Sequence, residues 1–179
     1  FLAFIAGTKV QIIKTKKEVL LKEEKTFVPT FMRIVLTTCL LFGAGWAMKQ
    51  LAIYTNVYKT WGSAYRLYQV GAYEACLKDY KECYPLLKIN GDFLTNYGKA
   101  LSMAEKHSEA VKILQQAAVT YPNIVVFTAL GASYKNLKEP EHAEKAYFHA
   151  WYMNPSRFYP KYLLAKLYDE SGQTEKAFV

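Results

Sequence analysis

Residues Ile124 to Pro155 read IVVFTALGASYKNLKEPEHAEKAYFHAWYMNP, and the order of small and large apolar residues in this stretch decides the fold. Counting Ile124 as one, position 4 is Phe127, 7 is Leu130, 8 is Gly131 and 11 is Tyr134. Beyond the polar break NLKEP, positions 20, 24, 27 and 32 are Ala143, Tyr147, Ala150 and Pro155. Apolar spacings of three and four on each side of the break describe two amphipathic helices. A period near 34 residues is sought before any other reading, because it changes the whole fold. Such a period is present. From Gly91 the same positions are Leu94, Tyr97, Gly98, Leu101, Ala110, Leu114, Ala117 and Pro122. From Val57 they include Ala64, Leu67, Cys76, Tyr80 and Cys83, and from Phe158 Leu164, Ala165, Tyr168 and Ala177. The residues at position 20 are thus spaced 34, 33 and 34 apart along the chain.

Small residues at positions 8, 20 and 27 let two antiparallel helices approach closely, and large ones at 4, 7, 11 and 24 fill the space between them. This pattern resembles the tetratricopeptide repeat (TPR) superfamily. The expected fold is all-α: tandem TPR helical hairpins stacked into an α-solenoid over 57–179. The units are 57–90, 91–123, 124–157 and an incomplete 158–179. A single hairpin cannot bury its apolar face, so neighbours must stack and leave a concave surface. The turns VGAY, AEKHS, NLKEP and ESGQ separate the helices of each unit, and Pro140 suits an early helical position. Cys76 and Cys83 occupy small-residue positions as small hydrophobes. Seven residues of helix rise put them about 10 Å apart, too far for a disulfide.

The chain is 52% hydrophobic and 21% charged, with only 9 glycines and 6 prolines, which excludes disorder and favours helices. Its formal charge of +8 is uneven. Up to Tyr54 there are eight Lys/Arg against three Glu; the rest has fifteen basic against twelve acidic residues. Nucleic-acid binders concentrate positive charge on their folded part, so a nucleic-acid partner is not expected. The excess here sits beside apolar runs, as at a membrane surface. The run FMRIVLTTCLLFGAGWAM, Phe31 to Met48, has one charge, Arg33. It is long enough to span a bilayer core, with Trp46 and Tyr54 where interfacial aromatics belong. We therefore expect a transmembrane helix over 31–54. The alternative is a buried capping helix, 31–48, of a soluble TPR scaffold. FLAFIAG at 1–7 reads as the end of another apolar segment, and the absence of an initial methionine suggests a fragment or processed product. The basic loop 8–30 carries six lysines and three glutamates. By the positive-inside rule that loop stays cytoplasmic, which places the repeats on the opposite, periplasmic face of an inner membrane; a cytoplasmic array is the alternative.

No catalytic motif, phosphate loop or cofactor fingerprint is visible, so no catalytic residue, metal or cofactor is expected. His142 and His149 lie seven apart on one helix, off the i, i+4 spacing of a shared metal, and His107 falls in a turn. Glu141 and Lys145 suit an i, i+4 helix pair. Recognition remains. In the TPR superfamily the groove is lined chiefly by positions 2, 5, 9 and 12 of the first helix. Here the resemblance implies Tyr58, Trp61, Tyr65 and Tyr68, then Asp92, Thr95, Lys99 and Ser102. The third unit supplies Val125, Thr128, Ala132 and Lys135, the fourth Tyr159, Tyr162, Lys166 and Asp169. Aromatic rings and lysines on one groove suit an extended protein or peptide partner, or a glycan. Alternatively, the first unit's aromatics pack against the membrane-proximal segment.

The combination of an apolar span with Trp61 to Tyr68, Tyr84 to Leu87, Asn90 to Leu101 and Met153 to Tyr168 is similar to the C-terminal region of Gram-negative O-antigen ligase-like membrane proteins. That resemblance implies a module beside an enzyme that transfers lipid-linked glycan in lipopolysaccharide assembly. The catalytic residues of such an enzyme would lie upstream of Phe1, and none carries over to this chain.

Overall fold

A computed structural model describes residues 30–177. The apolar segment expected at 1–7, and the basic loop 8–30 but for Thr30, lie outside the described residues. The chain divides into two compact units, one ending at Ala52 and one beginning at Ile53. The described elements are α-helices: α1 Thr30–Gln69, α2 Tyr73–Leu87, α3 Gly91–Met103, α4 His107–Thr120, α5 Ile124–Asn136, α6 Pro140–Met153, α7 Phe158–Glu170 and α8 Thr174–Ala177. Pro140 opens α6, where its missing N–H costs nothing.

The expected span 31–54 and the leading helix of the repeat from Val57 both lie on α1. Between Gly45 and Gly62 the sequence holds no glycine or proline to break it. The first repeat's leading helix is therefore the C-terminal part of α1.

From Ile53 onward, successive helices pair as hairpins: α3 with α4, α5 with α6, α7 with α8. Close approach at position 8 sets their spacing. A Cβ built on Gly98 would lie 2.5 Å from Leu114 Cγ, and one on Gly131 would lie 2.4 Å from the Tyr147 ring. In these two units position 24 thus lies over position 8. Cys76 and Cys83 are fully buried and unpaired. Cys83 Sγ donates to the Val57 carbonyl at 3.4 Å, tying α2 to α1. Burial pushes the Cys83 thiol up to about 11 and also raises that of Cys76.

Helix ends repeat as well. Asn90 and Asn123 cap α3 and α5, their Oδ1 atoms accepting the Phe93 and Val126 N–H groups at 2.9 and 3.0 Å. Position 15 of every unit is left-handed, with φ of 80° at Gly71, 61° at Glu105, 61° at Lys138 and 74° at Gly172. In each case the next N–H returns to the carbonyl at position 11: Ala72 to Leu67, Lys106 to Leu101, Glu139 to Tyr134, Gln173 to Tyr168. These are 6→1 closures that satisfy the carbonyls of the preceding helix end.

The helix of the first compact unit carries no burial. Every residue from Phe31 to Lys49 is exposed, Phe42 by 82%. It is long and apolar enough to cross a membrane by length and composition.

Candidate functional site

The first helix of each hairpin presents one face to its own partner and another to the groove. Positions 2, 5, 9 and 12 recur at three- and four-residue steps, so they share a stripe. At the centre of this stripe is a depression of about 250 Å³. Tyr68 from α1, Lys99 and Ser102 from α3, Val125, Thr128 and Ala132 from α5, and Tyr159 from α7 line it. Four successive units therefore meet at one place. Met103, Ala129 and Leu163 complete the wall. These three stand at positions 13, 6 and 6. They lie four residues beyond positions 9 and 2, so the same helical periodicity would have marked them.

Of the groove residues singled out from sequence, Tyr68, Lys99, Ser102, Val125, Thr128, Ala132 and Tyr159 come together here; Tyr58, Trp61, Tyr65, Lys135, Tyr162 and Lys166 are not in its lining. Trp61 turns toward the second unit, its ring edge-on to Phe93 at 5.7 Å, with Tyr58 at 5.8 Å on its other side. It packs against the core, and its Nε1 is buried without a partner. Tyr65 stacks on Tyr68 at 6.4 Å, and Tyr162 on Tyr159 at 6.4 Å. Lys135 and Lys166 converge on one carboxylate. Lys135 Nζ lies 2.9 Å and Lys166 Nζ 3.8 Å from Glu170 oxygens. Glu170 also occupies position 13 and was not among the expected site residues.

Lys99 is different. It makes no ion pair among the described residues; its Nζ sits 5.4 Å from the Tyr68 ring centroid, a cation–π arrangement. Of the neighbouring hydroxyls, Thr128 Oγ1 donates to the Val125 carbonyl at 3.1 Å, and Ser102 Oγ accepts from Ser133 Oγ at 3.1 Å. Burial raises the Tyr68 hydroxyl, followed by the effect of Tyr73 and Tyr65. Burial also raises that of Tyr147, ahead of Tyr159 and Glu170. Both phenols stay neutral at physiological pH. A second, shallower depression of about 650 Å³ adjoins this region, where Asp92, Asn96, Tyr121, Met153 and Arg157 meet.

Elsewhere the histidines serve packing. His142 stacks on Tyr134 and its Nδ1 lies 3.2 Å from Glu139, while His149 stacks on Phe127. Glu141 and Lys145, an expected helix pair, form no ion pair; both are exposed, where such a pair gains little. Among the described residues, no group of His, Cys, Asp and Glu is placed to hold a metal.

No family model matches the sequence, and no curated protein is significantly similar to it. Solved structures are similar in fold. A crystal structure of MamA superposes with a TM-score of 0.65 at 18% identity, over 69% of this chain and 68% of that one. MamA from Desulfovibrio magneticus RS-1 gives 0.64 at 15% identity, covering 68% and 69%. The first TPR of Spaghetti (RPAP3) bound to the HSP90 peptide SRMEEVD gives 0.60 at 18% identity, covering 65% of this chain and 93% of that one. At such identities the likeness speaks to architecture alone, and with the position-8 contacts and the repeated position-15 turns it establishes that this chain has the tetratricopeptide-repeat fold of stacked helical hairpins.

Proposed function

We propose that this chain is a membrane-tethered TPR scaffold whose groove holds an extended segment of a partner protein. The observation that carries this reading is the depression at Lys99, because residues from four successive units line it. An extended peptide crossing the stripe touches all of them at once, whereas no single unit offers a complete site. The RPAP3 domain of the same fold, bound to a peptide, supports the same reading. A glycan partner has only the exposed aromatics in its favour.

The tether is supported by the exposed aliphatic and aromatic surface of 31–49. An apolar surface of that extent needs a cover of lipid or protein. The finer assignments are an inner-membrane location with periplasmic repeats, and a place beside an O-antigen ligase-like glycan-transferring enzyme. They are supported by the lysine-rich loop and by the quoted stretches from Trp61 to Tyr68 and Met153 to Tyr168. A soluble scaffold is the competing reading, and it needs a cover for 31–49 from outside the described residues.

Two measurements test the proposal. Membranes from cells expressing the full chain are washed in alkaline carbonate. Retention in the pellet supports the tether, and a soluble monomer refutes it. The full chain in detergent is then applied to peptide and carbohydrate arrays. Binding to peptides is expected, and binding to glycans alone would replace the peptide reading. For the topology, Ser156→Cys is expected to react with an impermeant maleimide from the periplasmic side of intact cells.

A further inference from the structure

We infer that the depression at Lys99 selects one carboxylate flanked by apolar side chains, so that the partner segment is weakly acidic rather than polyacidic. This deepens the peptide-groove reading and rests on it. Three lysines occupy groove positions, but they are not equivalent. Glu170 stands beside both Lys135 and Lys166 and takes up their field. Asp92 shares the adjoining depression with Arg157, and Asp169 adds a further negative charge on α7. Every groove cation except Lys99 therefore has a carboxylate close by, and a row of acidic residues gains little from the groove as a whole.

Lys99 is the exception in both charge and setting. It is half-buried, makes no ion pair among the described residues, and has only the Tyr68 ring against its ammonium. The walls are apolar: Val125, Ala129, Ala132 and Leu163. In such surroundings water screens an ion pair weakly, so one incoming carboxylate binds strongly to this ammonium while a second finds no cation to meet. Thr128 Oγ1 donates within the protein and Ser102 Oγ accepts from Ser133; the Lys99 ammonium is the charged group of the lining, and so the group that discriminates. Flanking aliphatic residues of the ligand meet the apolar walls and the exposed rings of Tyr159 and Tyr162.

The test uses the full chain in detergent and a library of blocked heptapeptides, N-acetylated and C-amidated. The central residue is Glu, Gln, Lys or Leu, and the flanks are randomised over Ala, Val, Leu, Phe and Ser. Fluorescence anisotropy is expected to show the Glu pool binding at least tenfold tighter than the Gln pool. Lys99→Met removes that difference while the Gln pool binds as before; Lys99→Arg retains it. Unchanged helical circular dichroism certifies the fold of both variants. The peptide SRMEEVD is expected to bind more weakly than the Glu pool, and Glu170→Gln to strengthen it by freeing Lys135 and Lys166. Equal binding of the Glu and Gln pools, a preference that survives in Lys99→Met, or tighter binding of SRMEEVD to the native chain overturns the inference and leaves the groove reading standing. Binding of no pool overturns both. Self-association that Lys99→Met abolishes would assign the depression to a second copy of the chain, and would also overturn it.

Discussion

Gly131→Ala tests the packing logic of the whole array, because two opposed effects can be weighed from the structure. Alanine is the better helix former, by about 1 kcal/mol in a helix interior. Against this, the new Cβ would lie 2.4, 2.5 and 2.9 Å from three ring carbons of Tyr147. Those contacts are closer than real Cβ atoms tolerate, and the ring is only 1% exposed, so it cannot swing into solvent. Overpacking of this kind costs about 1–3 kcal/mol. A rigid aromatic ring meeting three close contacts belongs at the upper end, which leaves a net loss of about 2 kcal/mol after the propensity gain. For a chain of this size that corresponds to a fall in Tm of about 4–8 °C. Gly62 provides the control. It is also helical, yet its nearest neighbour is the flexible end of Arg66 at 3.9 Å, so Gly62→Ala gains propensity with no clash. Its Tm should rise by about 2–4 °C. The assay is thermal melting of the full chain in one detergent, followed at 222 nm. A neutral or stabilised Gly131→Ala would mean that the Tyr147 ring moves at no cost, and the close-approach argument would fail.

Other predictions follow from the turns and the buried thiols. Glu105 and Lys138 hold φ of 61°, a conformation that glycine adopts without strain. Glu105→Gly and Lys138→Gly should each stabilise by about 0.5–1 kcal/mol in urea titrations. Equal stabilisation by alanine at either site would show that the left-handed turn is not the cause. The Cys83 thiol, raised by burial to about 11 from an ordinary 9.0, favours the folded state while it is protonated. Its contribution is fully present below pH 9 and is lost as pH climbs toward 11. Iodoacetamide at pH 8 should therefore spare Cys76 and Cys83 until urea unfolds the repeats. Mass spectrometry showing early modification of Cys83 in the folded chain would refute the buried-thiol assignment.

The groove was only partly legible in the sequence. Resemblance to the TPR superfamily implies positions 2, 5, 9 and 12 as the groove stripe, so Tyr68, Lys99 and Tyr159 could be named before any coordinates. Trp61 stands at the same kind of position, yet its ring is held by Phe93 from the next unit. Lys135 reads as a free groove cation until Glu170, 35 residues later, arrives beside it. Periodicity indicates which face a residue occupies, but not which neighbour from another unit comes within reach of it.

The sequence by itself determined the helices, the repeat length and the registration of each hairpin. Small and large residues recurring at fixed positions encode close approach locally, as Gly131 beneath Tyr147 demonstrates. The fold could therefore be read from Ile124–Pro155 alone. Tertiary structure decided two other matters. It imposed left-handed turns on Glu105 and Lys138, where no glycine announces them. It also left Lys99 as the groove cation without an acidic partner. Each depends on residues far apart in the chain, or on the geometry with which helices meet. A pattern of side-chain sizes does not encode which charges become neighbours once the hairpins stack.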